Sequence, residues 1–236
     1  MRLVHNIPTG CKSIDTVLQG GLPSESVALI YGEAETGKST LAMKCAVNCG
    51  LQGCKTLFVD CDGTFSAKRL AQIASPNFEE ISKLIILMRP NNFQEQSTIV
   101  DGLADYVAGN FGLVVFDSVT SLYRVRIADS PERTFEINRE LNKQLATLAQ
   151  VAKTQKVVVL MVSQVRTVFE KEHAGIEPVA TRVVKFWADT IIDMKLTENA
   201  AVVKVVLEKV GRKISSTECY LRIDASGIND YSPRRR

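Results

Sequence analysis

The sequence predicts an α/β fold: a mainly parallel central sheet flanked by helices, with antiparallel strands at its C-terminal edge. Three observations predict it. Short, continuously apolar runs alternate with stretches whose apolar residues recur every three or four positions, as expected of strands buried on both faces and joined by helices. From Thr190 onward the alternation stops and strand-like runs follow one another, the pattern of hairpins. Between the first strand and the first long helix lies Gly32-Glu33-Ala34-Glu35-Thr36-Gly37-Lys38-Ser39, which has the form G-x-x-x-x-G-K-[ST].

Taken in order, Pro8 to Pro23 is a polar lead-in with a short helix at Ser13 to Leu18, N-capped by Ser13 and stopped by Gly20-Gly21. Val27 to Tyr31 reads as a buried strand, and Leu41, Ala42, Cys45, Ala46 and Cys49 mark one face of the helix after the loop. Lys55 to Asp60 is the next strand, expected to neighbour Val27 to Tyr31, followed by a turn and a helix from Ser66 to Ala74. Strand Leu84 to Met88 leads to a helix with Ile99, Val100, Leu103 and Val107 in register, ending at Gly109-Asn110. Gly112 to Asp117 is an apolar strand ending in a carboxylate. Ser118 to Thr134 reads as a long connection carrying Arg124, Arg126 and Arg133. A helix with Ile137, Leu141, Leu145, Leu148 and Ala152 in register precedes strand Val157 to Val162, which delivers Ser163-Gln164. A polar segment, Arg166 to Thr181, leads to a helical piece, Arg182 to Ala188. The late strands, Ile191 to Met194, Val202 to Leu207 and Cys219 to Ile223, are expected to extend the sheet as antiparallel hairpins.

The 236 residues suffice for one well-cored domain, and so few precede the glycine-rich loop that a separate N-terminal domain is not expected. Met1-Arg2-Leu3-Val4-His5 enters a polar segment and lacks the hydrophobic core of a secretory leader, and no apolar run approaches the ~18 residues of a membrane span. Net charge is only +3, so composition alone implies no polyanion partner. The six cysteines form no C-x-x-C pair and only two histidines accompany them, which argues against a zinc site and for buried, reduced thiols inside the cell.

The loop at Gly32 carries phosphate chemistry. Gly32 and Gly37 permit backbone conformations that turn successive N–H groups inward around an anion, and the following helix adds its positive end. Lys38 supplies a mobile charge for β- and γ-phosphates, and the small Ser39 hydroxyl suits Mg²⁺. Ligands of open α/β sheets sit beyond the strands' carboxyl ends, where Asp117, Asp62 and Gln164 also fall. Asp117 is placed to hold Mg²⁺ through water. Asp62 is either a base for a water attacking the γ-phosphate or a cap on its own turn. Gln164 either senses the γ-phosphate or satisfies local backbone.

With these strand ends placed, the chain resembles the RecA-superfamily ATPases, and among them the archaeal RadB group of recombinase paralogues. The resemblance covers Pro8 to Asp15, Gly20-Gly21-Leu22-Pro23, Gly32 to Thr40, Phe58 to Phe65, Val115 to Ser118, Ser163-Gln164-Val165 and Phe186-Trp187-Ala188-Asp189. It implies a RecA-like P-loop ATPase core spanning the chain, nucleotide contacts from Gly32, Glu33, Ala34, Glu35, Thr36, Gly37, Lys38, Ser39 and Thr40, and magnesium at Ser39 and Asp117. It gives Lys38, Asp62 and Gln164 catalytic roles and lets Arg69 stack on adenine. ATP and Mg²⁺ are the implied cofactors. The implied partners are single-stranded or branched DNA, a RecA/RadA-type recombinase and a Holliday junction resolvase, in the cytoplasm at the nucleoid, without a membrane.

Two departures bear on activity. Family recombinases have Glu where this chain has Asp62, and a base shortened by one methylene slows hydrolysis when it no longer reaches its water. No Phe from Phe58 to Phe186 has Ala three residues later, so the F-x-x-A segment that joins filament subunits is missing, and a monomer or small oligomer is expected. Together these imply a recombination mediator that is at most a weak DNA-dependent ATPase. The alternatives are an active strand-exchange ATPase and a KaiC-like regulatory ATPase. The DNA-facing loops of the family correspond to the segments after Asp117 and Gln164, with Arg166, Arg182 and Lys185 in the second. Its mixed charge equally suits a solvated loop. Lys204, Lys209, Arg212 and Lys213 cluster around one hairpin, and Arg234-Arg235-Arg236 is either a phosphate contact or a solubilising tail.

Overall fold

The computed structural model describes residues 6–164 and 176–232, without the side chains of 176–179. The chain runs β1 (Asn6–Ile7), α1 (Lys12–Val17), β2 (Leu22–Pro23), β3 (Val27–Gly32), α2 (Lys38–Leu51), β4 (Lys55–Asp60), α3 (Ala67–Ala74), α4 (Phe78–Ser82) and β5 (Ile85–Met88). It continues with α5 (Phe93–Asp101), α6 (Leu103–Tyr106), β6 (Phe111–Asp117), α7 (Ser121–Asp129), a 3₁₀ turn (Pro131–Arg133), α8 (Thr134–Gln155) and β7 (Val158–Gln164). Last come α9 (Ile176–Trp187), β8 (Thr190–Leu196), β9 (Val202–Val210), β10 (Lys213–Asp224) and β11 (Gly227–Tyr231).

Among the described residues the main sheet has nine strands in the order β11-β10-β9-β8-β3-β7-β6-β4-β5. The central strands are apolar because both faces are covered. Val27, Leu29 and Tyr31 of β3 belong to one core cluster with Val100 of α5, Leu145 of α8 and Val184 of α9. Ala28 and Ile30 face the other way, onto Leu41, Cys45 and Cys49 of α2 and Ile14 of α1. Each fully buried aliphatic side chain contributes ~1.5–3 kcal/mol, so the sheet between two helical layers is the rigid platform on which the strand ends stand. Burial pushes the Cys45 thiol up and that of Cys49 up to about 12, so both are inert core groups.

The structure refines these expectations. β4 does not neighbour β3: β7 and β6 lie between them. The late strands extend the sheet as antiparallel neighbours, as expected, from the β8–β9 pair onward, with β8 itself parallel to β3. Ser118 to Thr134 is not an irregular connection but contains α7, whose sequence hides its periodicity because only Tyr123 and Ile127 are buried. At α1 the N-cap position is Cys11. Ser13 lies in the first turn, and the free amides of Lys12 and Ser13 donate to the Asp230 carboxylate at 2.6 and 2.9 Å. This anionic cap comes from β11, a strand too short and polar to be read from its sequence.

Candidate functional site

Strands β3, β7, β6 and β4 end together, with Gly32 beside Gln164, Asp117 beside Val162 and Asp60 beside Asp117. A cleft of ≈ 380 Å³ opens beyond them. Of the predicted residues, Ala34, Glu35, Gly37, Lys38, Ser39, Thr40, Asp62, Asp117 and Gln164 line it, joined by Thr64, Ser118, Val162 and Ile223. Gly32, Glu33 and Thr36 build the loop behind that lining. Sequence reasoning missed Ile223, since it arrives on β10 and nothing in its neighbourhood marks it.

The loop's glycines have separate causes. A Cβ on Gly32 would lie 2.0 Å from the Met194 carbonyl oxygen, so β8 passes too close for any side chain. Gly37 adopts the left-handed conformation, φ 82, that turns the chain into α2. The first helical bond runs from the Leu41 amide to the Gly37 carbonyl at 2.9 Å, which leaves the amides of Lys38, Ser39 and Thr40 without helical acceptors. Thr36 Oγ1 donates to the Glu33 carbonyl at 2.9 Å, bracing the loop. Lys38 Nζ donates to that same carbonyl and to Thr36 Oγ1. Burial lowers the Lys38 pKa, and the negative charges of Asp117, Asp62 and Glu33 oppose the shift.

Asp117 is 3% exposed. Its Oδ1 has no hydrogen-bond partner among the described residues. Burial pushes its pKa up to about 6; the Ser39 hydroxyl and Lys38 pull it down, while Asp62 and Asp60 push it up. A buried carboxylate with an orphaned oxygen is costly unless a cation completes it. Ser39 and Asp117 therefore fit a divalent ion. Among the described residues no group of three or more His, Cys, Asp or Glu could hold a metal, so such an ion would take its other oxygens from phosphate and water.

The turn after β4 divides its labour between two acids. Asp60 caps it, accepting from the amides of Thr64 and Phe65 at 3.0 and 3.1 Å and from Arg89 at 2.7 Å. Asp62, exposed, lines the cleft. Gln164 stands opposite, its carbonyl accepting from Arg124 of α7. Arg69 lies away from the lining: its guanidinium donates to the carbonyls of Asp224 at 2.8 Å, Ala225 at 3.2 Å and Gly227 at 3.1 Å, tying α3 to the β10–β11 turn.

The cationic residues do not form one track. Lys185 donates to Tyr31 Oη and Glu208 Oε2, each at 2.8 Å. Lys209 donates to the Ala188 carbonyl at 2.6 Å, at the end of α9, and Lys204 pairs with Glu218 at 2.8 Å. Arg182 is exposed on α9, a helix that begins at Ile176 rather than at Arg182, and Arg212 and Lys213 are exposed at the β9–β10 hairpin tip. Arg166 and Arg234 to Arg236 lie outside the described residues.

The Rad51 family profile matches residues 2–231. This chain belongs to the Rad51 family. Within it the similarity runs to RadB proteins: the chain is 32% identical to "DNA repair and recombination protein RadB" of Thermococcus onnurineus, covering 95% of this chain and 97% of the relative. It is 31% identical to the protein of that name from Methanococcus maripaludis strain C7, over 91% and 96% of the two chains. A solved structure, "Crystal structure of the RadB recombinase", superposes with a TM-score of 0.77 at 29% identity, covering 96% of this chain and all of that one. The RecA-like fold and the RadB kinship expected from the motifs are thus shown. No helix among the described residues of this Rad51-family chain is long and apolar enough to cross a membrane.

Proposed function

We propose that the chain is a RadB-type ATP-binding mediator of DNA repair and homologous recombination, a single RecA-like ATPase domain whose bound nucleotide switches its hold on DNA and on a partner recombinase. The observation that carries this is the orphaned Asp117 Oδ1 beside Ser39 and Lys38. Main-chain amides from Gly32 to Thr40 and the Lys38 ammonium would hold the β- and γ-phosphates. Mg²⁺, when bound, neutralises phosphate charge; Ser39 and Asp117 would hold it. Arg69 can meet an adenine face because its N–H donors lie in the guanidinium plane.

Asp62 lines the cleft and its turn is capped by Asp60, which favours the base role over the cap. Its short side chain keeps hydrolysis slow. Gln164 would report the γ-phosphate to α7 through its neighbour Arg124. DNA, single-stranded or branched, would meet Arg212, Lys213 and Arg182. Lys185 and Lys209, already bonded within the chain, contribute less. The remaining partners in this reading are a recombinase and a Holliday junction resolvase at the nucleoid, with the chain a monomer or small oligomer. Lys38→Ala should weaken ATP binding at least about 100-fold in a fluorescent-nucleotide titration, the size of a lost charge-assisted bond to phosphate. Affinity that survived the change would remove the lysine from its role.

A further inference from the structure

Val119 lies two residues beyond Asp117, and both of its backbone groups are held by other elements. Its amide donates to the Val162 carbonyl at 2.9 Å, and its carbonyl accepts from Gln96 Nε2 at 3.1 Å. Gln96, in α5, is fully buried. The same nitrogen donates to Gln144 Oε1 in α8 at 2.9 Å. Gln144 Nε2 then donates to Ser97 Oγ at 2.6 Å, and Ser97 Oγ to Glu140 Oε1 at 2.9 Å. The chain of bonds has one possible direction. Val119 O at one end and the Glu140 carboxylate at the other are both acceptors, so Gln96 must donate both its hydrogens. Its Oε1 is left without a partner among the described residues.

An apolar side chain would fill that position in the core at lower cost than an amide with an orphaned oxygen. What the amide adds is a fixed position for the turn that leaves the magnesium carboxylate. We propose that Gln96 is a positioning residue for Asp117: its side-chain amide clamps the Val119 carbonyl, and Gln144, Ser97 and Glu140 anchor that clamp to α8. The inference rests on the nucleotide reading for its functional consequence, and its structural half stands apart from it. From β7 the turn after Asp117 is held by the Val119 amide bond and by the Thr120 hydroxyl against that of Ser163 at 3.0 Å, and from α5 by this amide.

Gln96→Met keeps the length and removes both donated bonds. It should raise the magnesium concentration that half-saturates nucleotide binding about 10-fold, the weight of one buried bond, while affinity measured in excess chelator stays within about 2-fold because the P-loop is untouched. Gln144→Met, which leaves the Val119 bond in place, should move the same quantity about 3-fold. Hydrogen exchange read without nucleotide separates this inference from the nucleotide reading. Amides of 118–122 should exchange about 10-fold faster in Gln96→Met, with those of β3 unchanged. Unaltered exchange there in the folded variant overturns the clamp whether or not ATP binds. Faster exchange with an unaltered magnesium requirement overturns its link to Asp117.

Discussion

Asp60 and Asp117 stand side by side at the ends of β4 and β6, register partners with nearly equal burial, yet their surroundings are opposite. Asp60 receives two backbone amides and the Arg89 guanidinium. Asp117 keeps an oxygen with no partner among the described residues and has its pKa pushed up to about 6. The same residue type at the same place in the sheet is thus a structural cap in one strand and a carboxylate with an unpartnered oxygen, among the described residues, in the next. What separates them is whether the protein itself supplies donors to both carboxylate oxygens.

The largest expected effect breaks the satisfied member. Asp60→Ala removes the cap on the turn carrying Asp62 and one partner of a half-buried ion pair, and should lower unfolding free energy by about 2–4 kcal/mol in urea denaturation.

Asp117→Asn should do the reverse when no nucleotide is present, raising stability by about 1–3 kcal/mol at pH 8. The folded pKa lies above the ordinary value of 3.8, so in the native state the group binds its proton more tightly than in the unfolded chain. Its stabilising contribution is complete below pH ~4 and is lost as pH rises through about 6. The difference between Asn variant and wild type should therefore be absent near pH 4 and full above pH 7. Denaturation curves at both pH values check the sign; a less stable Asn variant at pH 8 would count against an uncompensated charge.

How much of this contrast could be read in advance follows from where the partners lie. The loop from Gly32 to Ser39 and the carboxylate at Asp117 are local patterns, a strand followed at once by its chemistry, and they are legible. The role of Asp60 is not, because its cation, Arg89, is 29 positions away. Likewise Lys185 and Lys209 look like free surface charges until Glu208 and the Ala188 carbonyl are brought to them by the sheet. Strand order is hidden for a related reason: β4 follows α2 in sequence, but β6 and β7 are inserted between it and β3. Residues 118–134 conceal α7 because a helix with two buried positions carries too weak a stripe.

A smaller effect sharpens the role of Asp62, the neighbour that Asp60 frees. Asp62→Glu restores the missing methylene and should raise steady-state phosphate release about 10-fold in the presence of single-stranded DNA, with ATP affinity nearly unchanged. The wild type itself should turn over well below the ~1 per second of ordinary enzymes. The smallest effect concerns the exposed cations. Removing Arg212 and Lys213 together should reduce the slope of log affinity for single-stranded DNA against log salt by about 1–2. The substitutions Lys185→Ala and Lys209→Ala should leave that slope in place, because their amines are engaged within the chain.

Calorimetric titration of ATP into the protein, with and without magnesium, bears most directly on the contrast between the two carboxylates. The wild type should take up one nucleotide, more tightly with magnesium, and Asp117→Asn should lose that magnesium dependence while Asp60 remains intact. Absence of any nucleotide uptake by the folded wild type in the presence of magnesium would contradict the assignment of this cleft.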